Sequence, residues 1–349
     1  MSVTRAQYFD PHLGLAGTAG LRPTAVASVD TSFILDQAAA RLGAPIQVVQ
    51  TMGIGSIRHF APRRVANELA WNYEAAARRR KVDPERMYKV LTEDFMPRIR
   101  FVDLPPVPPE YDERLADLNR RDSDGADPDV GYLGLLLSPS LVFSHDRHLR
   151  QTGFAPATLQ ELNLVLAAGL AVEISDGALV TSGFVVKLGA TGASNAASAI
   201  AVRLEIPLWV VGLLVAAMVG LGVYWALSTP ERREKAGRLL TAAAGEATKL
   251  AERRAAGKAL LERTSLQAAS PTFENRVFRA LALADEPLLA REVRSALAAS
   301  GPVPTEPWLR EYLGRHPSFV RKRAYRFQLG RQLTIIRPRS RLITLQASQ

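Results

Sequence analysis

Cysteine is absent from the 349 residues. That excludes disulfides, thiolate metal sites and cysteine nucleophiles, and it fits a chain working in a reducing compartment. Histidine is scarce, with five in all. His145 and His148 have no partner histidines at ligand spacing elsewhere, so a structural role outweighs a transition-metal site. The opening residues, Met1 to Gly20, lack the basic stretch followed by an apolar one that marks a signal peptide. Charge is also missing from one long stretch. Ile206 to Leu227 contains no Asp, Glu, Lys or Arg, which is enough for a helix to cross a bilayer. Trp209 lies near one end and Tyr224 with Trp225 near the other, as interfacial anchors would.

What charge there is lies unevenly. The formal net charge is +10, made of about −2 before Pro230 and about +12 after it. A basic C-terminal field suits nucleic acid or an anionic membrane surface, and charge alone does not choose between them. The length leaves room for two modest folded units with connections.

Along the chain, Gly14, Gly17, Gly20 and Arg22-Pro23 read as a loose arm. Ala25 to Val29 is a short apolar run ending at Asp30, as a buried parallel strand looks when it delivers a side chain from its C-terminal end. Helical pattern covers Phe33 to Leu42, followed by a short apolar run at Gln47 to Val49. A helix opened by Pro62 runs through Val65, Glu68, Leu69 and Trp71 to Arg80. Pro84 to Glu93 reads as helix, Ile99 to Val102 as strand, and proline-rich Leu104 to Pro109 as an extended spacer. A polar helix (Tyr111 to Asn119), an acidic loop (Asp122 to Asp129), an apolar helix (Tyr132 to Leu137) and a strand (Leu141 to Phe143) follow. Such alternation predicts an α/β fold with a central parallel sheet and helices in layers on either side.

Further on, Thr158 to Glu173 is expected to be a soluble helix. Basic residues Arg232, Arg233, Lys235 and Arg238 follow the apolar run, which puts that end in the cytoplasm by the positive-inside rule. A second, weaker segment at Ala178 to Val202, rich in small residues, would make a helical hairpin with both ends cytoplasmic. Glu231 to Arg263 is a basic, alanine-rich helical stretch. Glu274 to Arg331 has helices expected at Asn275 to Ala284, Pro287 to Ala299 and Glu306 to Arg315, then a hairpin from Phe319 to Leu329.

Four acids occupy places that such a sheet would bring to one edge. They are Asp30 in Val-Asp-Thr-Ser-Phe, Glu68 in Pro-Arg-Arg-Val-Ala-Asn-Glu-Leu, Asp129 in Asp-Pro-Asp-Val-Gly-Tyr-Leu and Asp146 in Leu-Val-Phe-Ser-His-Asp-Arg-His-Leu. Crowded carboxylates repel one another, so a cation or protons must relieve the cluster. Each also has a bland alternative: Asp30 and Asp129 as helix caps, Glu68 as a solvated helix residue. In this order, and with these neighbours, residues 25–153 resemble the PIN nuclease family. The resemblance implies a metal site of Asp30, Glu68, Asp129 and Asp146, with Ser32 and Ser144 as hydroxyl helpers and Asp127 competing with Asp129 as third acid. It implies Mg²⁺ or Mn²⁺ as cofactor and RNA as substrate. Arg63, Arg64 and Arg147 either hold substrate phosphates or decorate the surface.

The C-terminal pattern resembles winged-helix domains in general. It would set Arg321, Lys322, Arg323 and Arg326 against phosphates of DNA, or else dock a protein. The expected layout is a flexible arm (1–24), a PIN-like three-layer α/β/α domain (25–155), a helical connector (156–177), membrane segments (178–228, with 206–227 the clear transmembrane helix), a basic linker (229–270), a winged-helix α+β domain (271–335) and a tail (336–349). Together these predict a ribonuclease held at the cell membrane with its soluble parts facing the cytoplasm, with membrane lipid and, in a homodimer, a second copy of the chain among its expected partners. Two alternatives are a catalytically silent membrane-tethered protein that binds DNA, and a toxin or defence effector held by a partner.

Overall fold

A computed structural model describes residues 25–45, 57–106, 111–121, 127–156, 158, 160–168, 248–249, 251–268, 272–298, 300–335 and 346–347. The chain divides into two compact units, one of residues 22–167 and 261–349, the other of residues 1–21 and 168–260.

The first unit is built on a four-stranded parallel sheet. Its strands are β1 (Ala25–Val29), β2 (Ile57–Pro62), β3 (Ile99–Val102) and β4 (Leu141–Phe143), in the order β3-β2-β1-β4. β1 is buried along its whole length, as expected of a central strand covered on both faces. The fold class is therefore α/β, as the alternating pattern predicts. The crossover helices α1 (Thr31–Arg41) and α2 (Arg63–Arg79) follow β1 and β2. Right-handed crossovers in one direction place both on one face. After β3 the chain returns past β1, through α4 (Glu113–Arg121) and α5 (Asp127–Leu136), to β4. That reversal puts α5 on the other face, where the Ser28 hydroxyl donates to the Val130 carbonyl at 2.9 Å. Between α2 and β3 lie α3 (Pro84–Lys89), a π-helical stretch (Val90–Phe95) and a 3₁₀ turn (Met96–Arg98). α6 (Arg147–Gln151) follows β4.

One strand was not expected. Ile57–Pro62 carries Arg58 and His59, whose polarity breaks the apolar run that marks a buried strand. Each is accommodated by something distant in sequence. Arg58 donates to the carbonyls of Ala282 and Ala284 and pairs with Asp285. His59 is 4% exposed, and its Nε2 has no hydrogen-bond partner. The run at Gln47 to Val49, the segment 178–202 and the uncharged run 206–227 all lie outside the described residues. Among the described residues no helix is long and apolar enough to cross a membrane. Of the helix expected at Thr158 to Glu173, residues 160–168 are helical, and residues 251–264 are helical within the basic stretch.

Burial, and secondarily the nearby Arg98 charge, hold the His59 imidazole down at about 4. A free histidine in the unfolded chain titrates near 6.5. Between those values the unfolded chain binds a proton that the native one refuses, so acid favours unfolding there. The His59 contribution should be flat above pH 6.5 and fall by about 1.4 kcal/mol per pH unit toward pH 4, about 3 kcal/mol in all. Urea titrations of His59→Leu against wild type should show that slope removed; parallel curves for the two proteins would contradict it.

The C-terminal elements are α7 (Phe273–Leu283), β5 (Leu288–Leu289), α8 (Ala290–Ala298), α9 (Glu306–Arg315) and the hairpin β6 (Phe319–Lys322) and β7 (Arg326–Leu329). They make three helices and an antiparallel sheet ordered β5-β7-β6. This segment is not a body standing apart from the parallel sheet, since both belong to the first unit. α7 packs against α5 and β1. Asn275, 1% exposed, donates from Nδ2 to the Leu135 carbonyl, and its Oδ1 accepts from Thr272 and the Tyr111 hydroxyl. Arg279 donates to the carbonyls of Leu137 and Pro139.

The exposed edge of β3 is covered as well. Phe101 and Arg331 exchange backbone hydrogen bonds of 2.7 and 2.8 Å. Gly330 has φ +66°, and a Cβ there would lie 2.8 Å from the Phe101 carbonyl oxygen, so only glycine lets the two backbones meet.

Candidate active site

Parallel sheets place ligand sites at the C-terminal ends of their strands, where neighbouring connections leave in opposite directions. Here that point lies between β1, whose chain turns toward β2, and β4 on its other side. Asp30 ends β1 and Ser144 ends β4, and Asp30 N–H donates to the Phe143 carbonyl at 3.0 Å. The edge chosen by the sequence is the one the topology provides.

Asp30 is 7% exposed. Its Oδ1 accepts from Thr31 N–H at 2.6 Å, which caps α1. Its Oδ2 accepts from the Ser32 hydroxyl at 2.5 Å, the Ser144 hydroxyl at 2.8 Å and Ser32 N–H at 3.3 Å. Backbone groups fix the direction of both hydroxyls. His145 N–H donates to Ser32 Oγ at 3.1 Å and Asp146 N–H donates to Ser144 Oγ at 2.8 Å. Each oxygen thereby receives one proton and turns its own toward Asp30. The expected helpers, Ser32 and Ser144, are thus both hydrogen-bonded to the first acid.

Glu68 arrives from the second turn of α2. Its Oε2 accepts from the Thr31 hydroxyl at 2.6 Å, and its Oε1 lies 3.4 Å from Arg64 Nε. Asp146 caps α6 by accepting from His148 N–H at 2.5 Å. Thr31 therefore links Asp30, through its N–H, to Glu68, through its hydroxyl, while Asp146 joins them by its backbone N–H to Ser144 and turns its carboxylate to the start of α6. Asp129 is half-buried in the first turn of α5, one residue before the Val130 carbonyl that Ser28 binds. The side chain of Asp127 lies outside the described residues. Among the described residues no group of three or more His, Asp or Glu side chains lies close enough to hold a metal ion. The four carboxylates are thus not gathered into a closed protein ligand shell.

Burial pushes the Asp30 carboxyl above its ordinary range, against the lowering effect of the Ser32, Ser144 and Thr31 hydrogen bonds. No arginine or lysine among the described residues pairs with it. A desolvated carboxylate hydrogen-bonded only to neutral donors is an environment that a bound cation would relieve.

Sequence reasoning passed over a second network beside the first. Asp36, one helical turn beyond Ser32 on α1, pairs with His145 Nδ1 and with the Arg80 guanidinium. Burial alone would raise its carboxyl. The His145 hydrogen bond and charge, then Arg80, overcome that and hold it below the usual carboxylate range. This pins His145, whose backbone N–H orients Ser32, and gives His145 the structural role expected of it. No local pattern announces the trio, because its members lie 44 and 65 residues apart along the chain.

On the hairpin, Arg321, Lys322 and Arg323 are exposed. Arg326 is half-buried and donates to the Pro287 carbonyl and to Glu292, so its guanidinium braces the sheet. No protein-family model, no curated protein and no solved structure matches the chain.

Proposed function

We propose that the chain is a divalent-metal-dependent nuclease of the PIN type that hydrolyses RNA, and that residues 273–335 serve it as a winged-helix module. One observation carries the reading: oriented hydroxyls of Thr31, Ser32 and Ser144 hold the Asp30 and Glu68 carboxylates, with Asp146 bonded to Ser144 through its backbone N–H, at the point where the parallel sheet reverses its connections. The helix order and the β5-β7-β6 sheet support the winged-helix part. The uncharged run 206–227 supports attachment to a membrane.

The donors fit Mg²⁺ or Mn²⁺, hard cations that take carboxylate oxygen, keep several waters, and commonly use only one or two protein carboxylates with the substrate's phosphate. An open, incomplete shell is compatible with that habit. Asp30 would hold the ion with one of Glu68 and Asp146, the substrate's phosphate and water completing its shell. When bound, it would supply an activated water and neutralise charge at phosphorus. The protein's own part is positioning. Thr31, Ser32 and Ser144 hold the Asp30 and Glu68 carboxylates in fixed orientations before substrate arrives, and Arg64 brings a positive charge to the same edge.

The test uses the full chain in detergent with single-stranded RNA. Cleavage should require Mn²⁺ or Mg²⁺ and disappear in Asp30→Asn and in Asp146→Asn, both still folded by circular dichroism. Wild-type rates in both variants, or cleavage undiminished by EDTA, would reject the assignment, and a wild-type chain that cleaves no RNA with either metal would favour a silent scaffold.

A further inference from the structure

Trp71 is 51% exposed, one of the few large apolar side chains so placed among the described residues. It lies on α2, and its position on that helix ties it to the candidate site. At about 100° per residue, Arg64, Glu68, Trp71, Ala75 and Arg79 fall within one arc of about 80° on the helix surface. They form a single ridge of side chains. Arg64, Trp71, Ala75 and Arg79 are exposed, and Glu68 is half-buried where it meets Thr31. The buried face of α2 is supplied by other residues, Val65, Leu69, Tyr73 and Ala76, so the core does not require a tryptophan here.

We propose that this ridge is a track for single-stranded nucleic acid, with Trp71 as the platform on which a base stacks and Arg79 as a phosphate contact further along. The proposal takes its direction, outward from Glu68, from the nuclease reading. The chemistry at each step suits a polynucleotide. An indole face stacks on any base without regard to sequence. Ala75, one turn on, is small and leaves the ring open on that side. Arg79 is exposed and forms no ion pair among the described residues, unlike its neighbour Arg78, which is engaged by Glu74 at 2.9 Å. From Glu68 to Arg79 the helix rises about 16 Å, room for two or three extended nucleotides. A strand whose scissile phosphate lay at the carboxylates would thus meet an aromatic ring and then a cation, the alternation that sequence-tolerant single-strand binders use.

The experiment reads binding in EDTA, where hydrolysis is off, by fluorescence anisotropy with the full chain in detergent. The probes are a labelled 12-nucleotide RNA, DNA of the same sequence, and an abasic strand of the same length. Wild type should bind the base-bearing strands about 10- to 100-fold more tightly than the abasic one. Trp71→Ala should erase that preference and Trp71→Phe should keep most of it. Arg79→Ala should weaken all three probes alike and lower the salt dependence. The RNA and DNA arms assign the sugar that the track prefers.

A wild-type preference that survives Trp71→Ala, or no preference in wild type, overturns the proposal whether or not the chain cleaves RNA. A Trp71-dependent preference in a chain that never cleaves upholds the track and rejects only the nuclease reading.

Discussion

Asp30→Asn is expected to lower metal-dependent cleavage by about a thousandfold or more, while the metal-free protein melts higher than wild type. Two effects act in opposite directions on one residue. For activity, the carboxylate is the member of the network closest to β1 and the one on which Ser32, Ser144 and Thr31 converge, so its loss removes both a charge and the group the others orient. For stability the sign follows from the raised carboxyl. A group whose folded pKa lies above its unfolded one stabilises the fold while protonated and loses that contribution as pH rises through the folded value. In its ionised form Asp30 is therefore a liability. Asparagine is neutral, and its carbonyl can still cap α1 by accepting from Thr31 N–H.

The gain should be about 1 kcal/mol, or a few degrees in Tm, measured by thermal unfolding in EDTA at pH 7 and shrinking as the pH falls. Mn²⁺ should raise the wild-type Tm and leave Asp30→Asn unmoved. A variant that is less stable than wild type without metal would show that the hydrogen bonds from Ser32 and Ser144 to Oδ2, which an asparagine amide nitrogen does not accept, outweigh the cost of the buried charge, and would remove the physical ground for a cation there.

The second large effect concerns the chain's division. A protein that ends at residue 167 is expected to fail as a folded monomer, even though it holds all four candidate acids. Removing the C-terminal segment uncovers the face of α5 and β1 against which α7 packs. It also strips the β3 edge of its backbone partner Arg331. Ser140 would lose both backbone hydrogen bonds to Leu266, and Arg58 would be left with neither the α7 carbonyls nor Asp285. An uncovered apolar face and an open strand edge together favour aggregation. Size-exclusion chromatography and near-ultraviolet circular dichroism of the truncated chain would decide; a monomer with native-like signals would contradict the prediction. In the full chain, Asn275→Ala tests the same interface at one point. It leaves the Leu135 carbonyl and the Tyr111 hydroxyl without their buried partner, a loss of about 2–4 kcal/mol by denaturant titration. For the same reason, nuclease assays require the whole chain rather than residues 25–153.

Much of the scaffold was written in local pattern. Ala25–Val29 and Leu141–Phe143 announce themselves as strands because a buried parallel strand is a short, mostly apolar run, and Ile99–Val102 does so despite Arg100. Glu306–Arg315 and Phe319–Leu329 are equally plain, since a proline in the first helical turn and hairpin alternation are short-range effects. The placement of Asp30 directly after β1 and of Asp146 three residues beyond the end of β4 was likewise legible. The types of side chain at the candidate site, hard oxygen donors with neighbouring hydroxyls, could be read before any fold was known.

Tertiary structure decided what depends on partners far away along the chain. Strand β2 tolerates Arg58 and His59 only because α7 offers carbonyls to one and the sheet buries the other in neutral form. The C-terminal segment is part of the first unit because α7 covers a face of the parallel sheet, which no local pattern encodes. Asp36, Arg80 and His145 become a trio, and Glu68 meets Asp30 through Thr31, by packing alone. Sequence determines which groups are present and which local shape each segment prefers. Three-dimensional packing determines which of those groups lose their water, and hence which charges are strained.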